Sequence, residues 1–257
     1  MRNYNVEGVI LRSWDYSEAD RVLSVLTKNR GKISVIAKGV RKPTSKRSGS
    51  LQLLNHITLS LAEGKNWDVI TEVESLSTFD KIGASLEKVG LGYLVAEVTD
   101  KFLQEGQGNY RVFRLVLMTL GRLDQRKMRE AGLAMNFFKS QFLSELGFRP
   151  RLVTCVSCGV PTASYPMILF SATEGGAVCP TCRSRESSEG KEMTKVVLKT
   201  LIELENKPWQ DARRLRRGAA AIQEAGETLD YYMEWLLDRR IRSQEFIERI
   251  DQLGNVR

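Results

Sequence analysis

The first eighty residues alternate apolar and polar side chains in short runs. "YNVEGVILRS", "DRVLSVLT", "GKISVIAKG", "HITLSLAEG" and "WDVITEVESL" are segments rich in Val, Ile, Leu and Thr. Ile57, Leu59 and Leu61 alternate with polar neighbours, as do Trp67, Val69, Thr71 and Val73. A period of two marks a half-buried strand. With "KNRG" and "EGKN" as tight reversals, the pattern predicts a small antiparallel barrel of five strands. The one long connection, Val40 to Leu53, holds Pro43, Gly49 and four Ser or Thr residues, and predicts a mobile loop between the third and fourth strands.

From Ile82 the period lengthens. Ile82, Leu86, Val89, Tyr93 and Ala96 recur every three or four residues and predict a helix reaching about Gln104. Beyond "GQGN", helices are predicted over Tyr110–Leu123 and Ala131–Leu146, the second with Ala134, Phe138 and Phe142 on one side and a stop at Gly147 and Pro150. Thr194–Glu205 and Ala219–Leu237 follow, the latter with a stripe of Leu229, Tyr232, Met233 and Leu236. No repeat is detectable, and only "RSRESSEGK" resembles a linker. The class expected is α+β and multi-domain: a barrel over residues 1–80, then a mainly α-helical domain over residues 81–257.

Charge sharpens this picture. Lys plus Arg is 39 and Asp plus Glu is 31, a formal net charge of +8. Arg21 to Ala62 holds nine basic residues (Arg21, Lys28, Arg30, Lys32, Lys38, Arg41, Lys42, Lys46 and Arg47) and no acid, so the other residues, 30 basic against 31 acidic, are nearly neutral. Such localised charge acts as a field on partners, and a polyanion is the expected one. The alternative is a solvated charge run that serves solubility. Lys and Arg on a barrel and its loop would release counterions from a nucleic-acid backbone, giving sequence-independent, salt-sensitive binding. Between Arg21 and Asn66 there is no Phe, Tyr or Trp; the aromatic candidates Trp14, Tyr16 and Trp67 lie at the margins. Stacking platforms need such rings, so the expected grip is mainly on phosphate, on single and double strands alike. Bases left free in this way can pair, and strand annealing is expected. A second cluster, "ARRLRRG", offers Arg213, Arg214, Arg216 and Arg217, either as an extension of that track or as a solvated helix end; "DRRIR", at Asp238 to Arg242, is more balanced by acid.

All four cysteines, Cys155, Cys158, Cys179 and Cys182, lie within 28 residues in a C-x2-C-x20-C-x2-C pattern. Two residues between thiolates let one tight turn aim both sulfurs at a single ion, and Gly159 gives the first turn its freedom. Disulfides or a redox pair are the other readings; the first needs an oxidising compartment, and the second one CxxC beside a βαβ unit. On the metal reading, one structural Zn2+ fills its coordination sphere with four thiolates in an inserted module, residues 151–185.

Little suggests an enzyme. His56 is the only histidine, and neither a G-x-x-x-x-G-K-[ST] loop nor a G-x-G-x-x-G after a strand is present. The N-terminus "MRNYNVEGVI" has no apolar run of signal-peptide length, and no segment approaches the ~20 apolar residues of a membrane span. A soluble cytoplasmic protein, not a membrane one, is expected.

"EGVILRSWDYSEADRVLSVLTKNRGKISVIAKGVRK" resembles the N-terminal barrel of the RecO family of bacterial recombination mediators, and "LGFRPRLVTCVSCG" with "FSATEGGAVCPTC" resembles its zinc segment. The resemblance spans most of the chain. It implies an oligonucleotide/oligosaccharide-binding (OB) fold for the barrel, a helical body containing the zinc, and a non-enzymatic role in the cytoplasm at the nucleoid. Members bind single- and double-stranded DNA, anneal complementary strands and, with RecR, help RecA displace single-strand-binding protein, whose acidic C-terminal tail they also engage. Matched here, the basic barrel surface falls on Lys38, Arg41 and Lys42, and the metal ligands on the four cysteines. The family's usual helix between strands three and four is not evident in Val40 to Leu53. A zinc-containing RNA-binding or transcription-associated module is the rival reading, and a metal-dependent nucleic-acid hydrolase a third.

Overall fold

Strand β1 (Asn3–Asp15) is long enough to serve two neighbours. Its first half pairs with β4 (His56–Ala62) and its second with β2 (Arg21–Thr27), and a β-bulge between Ile10 and Arg12 turns it from one to the other. With β3 (Gly31–Ala37) and β5 (Asp68–Ser77) these strands form a closed barrel in the order β1-β2-β3-β5-β4. An odd number of strands cannot alternate direction all the way round. The barrel therefore closes through one parallel pair, β3 with β5 at Val35↔Asp68 and Ile36↔Val69, rather than being antiparallel throughout. The computed structural model describes residues 3–125, 128–186 and 189–254.

The barrel core draws on every strand: Ile10, Leu23, Val25, Val35, Ile57, Leu59, Leu61 and Ile70 are all buried. In β4 the alternation read from sequence holds residue by residue. In β5 it does not. A second bulge, where Ser60 faces Glu72 but Leu61 faces Ile70, drops Thr71 from the pairing and moves Ile70 into the core, leaving Val69 half-buried. The β3–β4 connection contains no helix among the described residues; it is a succession of turns, with Val40 and Leu51 buried in the barrel core.

The chain divides into two compact units, Met1–Arg126 with Ile241–Arg257, and Lys127–Arg240. In the first, the barrel is joined by α1 (Leu86–Phe102), α2 (Tyr110–Gln125) and α8 (Arg242–Gly254). The predicted start of α1 at Ile82 moves to Leu86 because Ser85 caps it, its side chain accepting from Lys88 N–H. Its expected stripe is also displaced: Leu86 and Tyr93 are exposed, while Gly90, Leu94, Val95 and Val98 are buried. Packed by β1, α2 and α8, this helix buries more than one face. Helix α8 has no counterpart in the sequence reading. It meets α1 where Gly90 leaves room for Phe246 and Ile247.

In the second unit, α3 (Met128–Glu145), α5 (Lys195–Asn206) and α7 (Ala219–Leu237) pack together, with α6 (Trp209–Ala212) a single turn between the last two. Phe138 and Phe142 are fully buried, as the stripe on α3 requires. A three-stranded antiparallel sheet, β6 (Met167–Ser171) between β7 (Gly176–Val178) and β8 (Lys191–Thr194), leads into α5, whose cap is Thr194. The short helix α4 (Pro180–Glu186) follows β7. Among the described residues no helix is long and apolar enough to cross a membrane.

Candidate metal centre and nucleic-acid interface

The chain folds back after Pro150 so that Arg151 lies beside Gly176, with Ala177 N–H donating to the Arg151 carbonyl at 2.8 Å. This brings the first cysteine pair against the end of β7, just before the second. Cys155 and Cys158 flank a turn closed by Gly159, whose φ of +77° is open to glycine at little cost and whose N–H donates to the Cys155 carbonyl at 2.9 Å. Cys179 follows the last residue of β7, and Cys182 sits in the first turn of α4. The four sulfurs all lie within 4.8 Å of one another, and no disulfide joins them. Cys158 and Cys179 have their sulfurs 3.8 Å apart, the edge of a tetrahedron with bonds of about 2.3 Å to a central ion.

The surroundings suit thiolates that share a cation. Cys155, Cys179 and Cys182 are buried among Leu169, Val178, Val156 and Tyr165, while Cys158 is exposed. Burial opposes ionisation of Cys155, yet backbone N–H groups from Cys179, Cys158 and Ser157 bring it down to about 6. Cys182 is pushed up to about 12, first by its hydrogen bond to Cys158 and then by burial. Four thiols this close cannot all ionise on their own; a divalent ion removes the conflict. The donor set, its span and its N–H support fit one tetrahedrally coordinated metal ion.

The basic segment looks different in three dimensions than along the chain. Arg21 donates to Asp15 at 3.0 Å, and Arg41 reaches Asp15 at 3.3 Å and the Ser17 carbonyl at 2.6 Å. Lys28 lies 2.6 Å from Glu7, which it holds below the usual carboxylate range, and Lys32 is half-buried against Asp100 at 3.3 Å. Arg30 sits over the Tyr4 ring at 4.0 Å. Arg47 turns inward, donating to the carbonyls of Lys38 at 2.8 Å and Ile70 at 2.9 Å, so it fastens the β3–β4 connection to β5. Lys38, Lys42 and Lys46 are exposed and have no ion pair among the described residues. The neutralising acids Glu7, Asp15 and Asp100 all stand outside the acid-free stretch, where a count along the sequence does not see them.

His56 is engaged too, 3.1 Å from Glu7, with Phe113 edge-on to its ring. In the second unit, Arg217 donates to Glu203 at 2.6 Å and to Thr200, linking the start of α7 to α5. Arg213, Arg214 and Arg216 are exposed, without an ion pair among the described residues. The fold also unites two aromatics 51 positions apart: Tyr16, just after β1, and Trp67, just before β5, meet edge to face with centroids 4.9 Å apart. Neither the charge count nor the strand pattern signals that pairing.

Comparison with known proteins agrees with this architecture. Residues 1–79 match the family model for the Recombination protein O N-terminal domain, and residues 83–245 that for its C-terminal domain. The DNA repair protein RecO of Moorella thermoacetica is 32% identical over 248 residues, 96% of this chain and 91% of that one. The proteins of the same name from Roseiflexus sp. and Desulforudis audaxviator are each 32% identical over 252 residues, covering 98% and 97% of this chain and 87% and 98% of their own. With both domain models in order and full-length relatives at this identity, the chain belongs to the RecO family, a membership that supports a role in DNA repair and recombination.

Proposed function

We propose that this protein is a recombination mediator that binds single- and double-stranded DNA through phosphate and anneals complementary strands. In the same reading it acts with RecR to help RecA load onto DNA covered by single-strand-binding protein, engaging that protein's acidic C-terminal tail. The RecR, RecA and tail contacts rest on the family resemblance. The DNA contacts rest on one observation above the others: three lysines, Lys38, Lys42 and Lys46, stand exposed and unpaired on a connection that Arg47 fastens to the barrel. Exposed, unneutralised cations displace condensed counterions, whereas a lysine already paired with a carboxylate adds much less. Arg213, Arg214 and Arg216 are secondary candidates on the same grounds, and Arg217, held by Glu203, is the weakest.

The barrel of residues 1–80 carries the DNA in this account. The module of residues 151–185 carries one structural Zn2+ on Cys155, Cys158, Cys179 and Cys182, all four positions taken by protein. The role is non-catalytic, performed in the cytoplasm: DNA is held by its backbone, and base pairing does the rest. Annealing of two complementary labelled oligonucleotides tests it. The wild type should accelerate duplex formation, and the variant with Lys38, Lys42 and Lys46 all changed to Gln should lose most of that acceleration. Equal rates for the two proteins would refute the assignment.

A further inference from the structure

An OB barrel ordinarily takes its ligand across strands two and three and between the β1–β2 and β4–β5 loops. Here the chain itself occupies much of the strand surface. The end of α1 and the segment after it lie along the outside of β2 and β3: Ser24 donates to Asp100 at 2.6 Å, and Lys32 Nζ to the Asp100 carbonyl at 2.6 Å. The Lys32 N–H donates to the Gln107 carbonyl at 2.7 Å, and the Gly106 N–H to the Lys32 carbonyl at 2.8 Å. Ser34 bonds Glu105. The approach is so close that a Cβ on Gly31 would come within 2.5 Å of the Gly106 carbonyl oxygen, and φ there is +67°. This part of the ligand face is closed by backbone.

The two loops remain open, and each contributes an aromatic ring. Tyr16 begins the β1–β2 connection and is 56% exposed; Trp67 ends the β4–β5 connection, and the two meet edge to face. An edge-to-face pair leaves a ring face uncovered. Two residues earlier in the chain, near the end of β1, Trp14 is half-buried beneath the Arg12 guanidinium at 5.1 Å. The lysine-bearing connection borders the same rim, because Arg41 N–H donates to the Ala19 carbonyl at 3.0 Å and Gly39 N–H to Asp20 at 2.8 Å. Uncovered aromatic surface and unpaired cations thus share one edge of the barrel. Cations bind the phosphate of any nucleic acid, but a ring face rewards only an unpaired base that can stack on it.

We propose that Tyr16 and Trp67 form a nucleobase-stacking site that holds one or two unpaired bases of a single strand at the barrel rim, leaving the flanking bases free. This rests on the DNA-binding reading above and adds to it a preference for single-stranded segments.

The test measures affinity of the full-length protein for an oligothymidylate, an abasic oligonucleotide of equal length and a duplex. With phosphate count equal, the wild type should bind the oligothymidylate about ten-fold more tightly than the abasic strand. Tyr16→Ala should erase that difference while leaving duplex affinity and the salt dependence unchanged, and Tyr16→Phe should restore it. The abasic comparison needs no variant, so misfolding cannot obscure the answer. Equal wild-type affinity for the oligothymidylate and the abasic strand overturns the stacking site. If the triple Lys→Gln variant is still weakened on every probe, the phosphate reading survives that failure. No measurable DNA binding by the wild type overturns both.

Discussion

The unequal standing of the nine basic residues makes the salt dependence of binding the sharpest measurement. For single strands, log K falls with log[salt] by about 0.7 per phosphate neutralised, and for duplex by about 0.9. If Lys38, Lys42 and Lys46 each neutralise one phosphate, changing all three to Gln makes the slope shallower by about 2 on single strands and about 3 on duplex. Lys28→Gln removes a charge that Glu7 already answers at 2.6 Å, and its slope should match the wild type. All four lysines lie on the surface, so stability should shift by no more than about 0.5 kcal/mol per site, and a thermal melt of each variant checks this. Fluorescence anisotropy of a labelled oligonucleotide across a salt series reads the slopes directly. A triple variant with the wild-type slope would refute the reasoning, as would a Lys28 variant shallower than the triple. Either result would mean that ion pairing within the protein does not decide which cations meet DNA.

Three further outcomes follow from the geometry. Arg47→Ala removes charged hydrogen bonds to the Lys38 and Ile70 carbonyls and should cost about 2 kcal/mol in urea unfolding, with Lys38 and Lys42 becoming more open to chemical modification. On the proposed metal reading, a strong chelator should unfold the cysteine module, where metal binding would contribute on the order of 10 kcal/mol, while the barrel amides keep their protection from hydrogen exchange. Glu205 is pushed up to about 7 by burial, against the opposing pull of Arg149. A carboxyl that keeps its proton longer in the folded state than in the unfolded one adds stability below its ordinary range, and that stability is lost as pH rises toward 7. Unfolding free energy of the Lys127–Arg240 unit should therefore fall between pH 5 and pH 8 by up to about 3 kcal/mol, and Glu205→Gln should flatten that fall.

The parts of the fold legible in the sequence are those set by short-range repetition. Ile57, Leu59 and Leu61 enter the core because nothing interrupts their alternation. The CxxC spacing assembles four sulfurs because each pair needs only one turn. Where a single residue breaks the period the reading fails: Thr71 drops out at a bulge, and Ile70, not Val69, becomes the core residue of β5. Helix α1 misleads for another reason. Amphipathic reading assumes one buried face, and α1 buries Gly90 against α8 and Gly92 against Leu54 and Ile82 on different sides. Helix α8 does carry a helical period, with Phe246, Ile247, Ile250 and Leu253 recurring every three or four residues, but the predicted helices end at Leu237 and the charged stretch after it reads as an acid-balanced end. Only the gap at Gly90 that receives Phe246 and Ile247 needs the fold to be seen.

Charge illustrates the same limit with a functional consequence. Forty-two residues without an acid look like one uniform basic surface. Folding divides them by geometry: Arg21 and Lys32 on strands and Lys28 in the turn between them meet carboxylates from β1 and α1, because a neighbouring strand and a covering helix place Asp15, Asp100 and Glu7 beside them. The β3–β4 connection has no such neighbour for Lys38, Lys42 and Lys46. It is nonetheless anchored, with Leu51 buried in the barrel and Arg47 spanning to β5. An anchored connection offers its lysines at positions already fixed, so less ordering entropy is lost when DNA arrives. Arg47, turned inward on that connection, thus serves the three lysines that reach solvent.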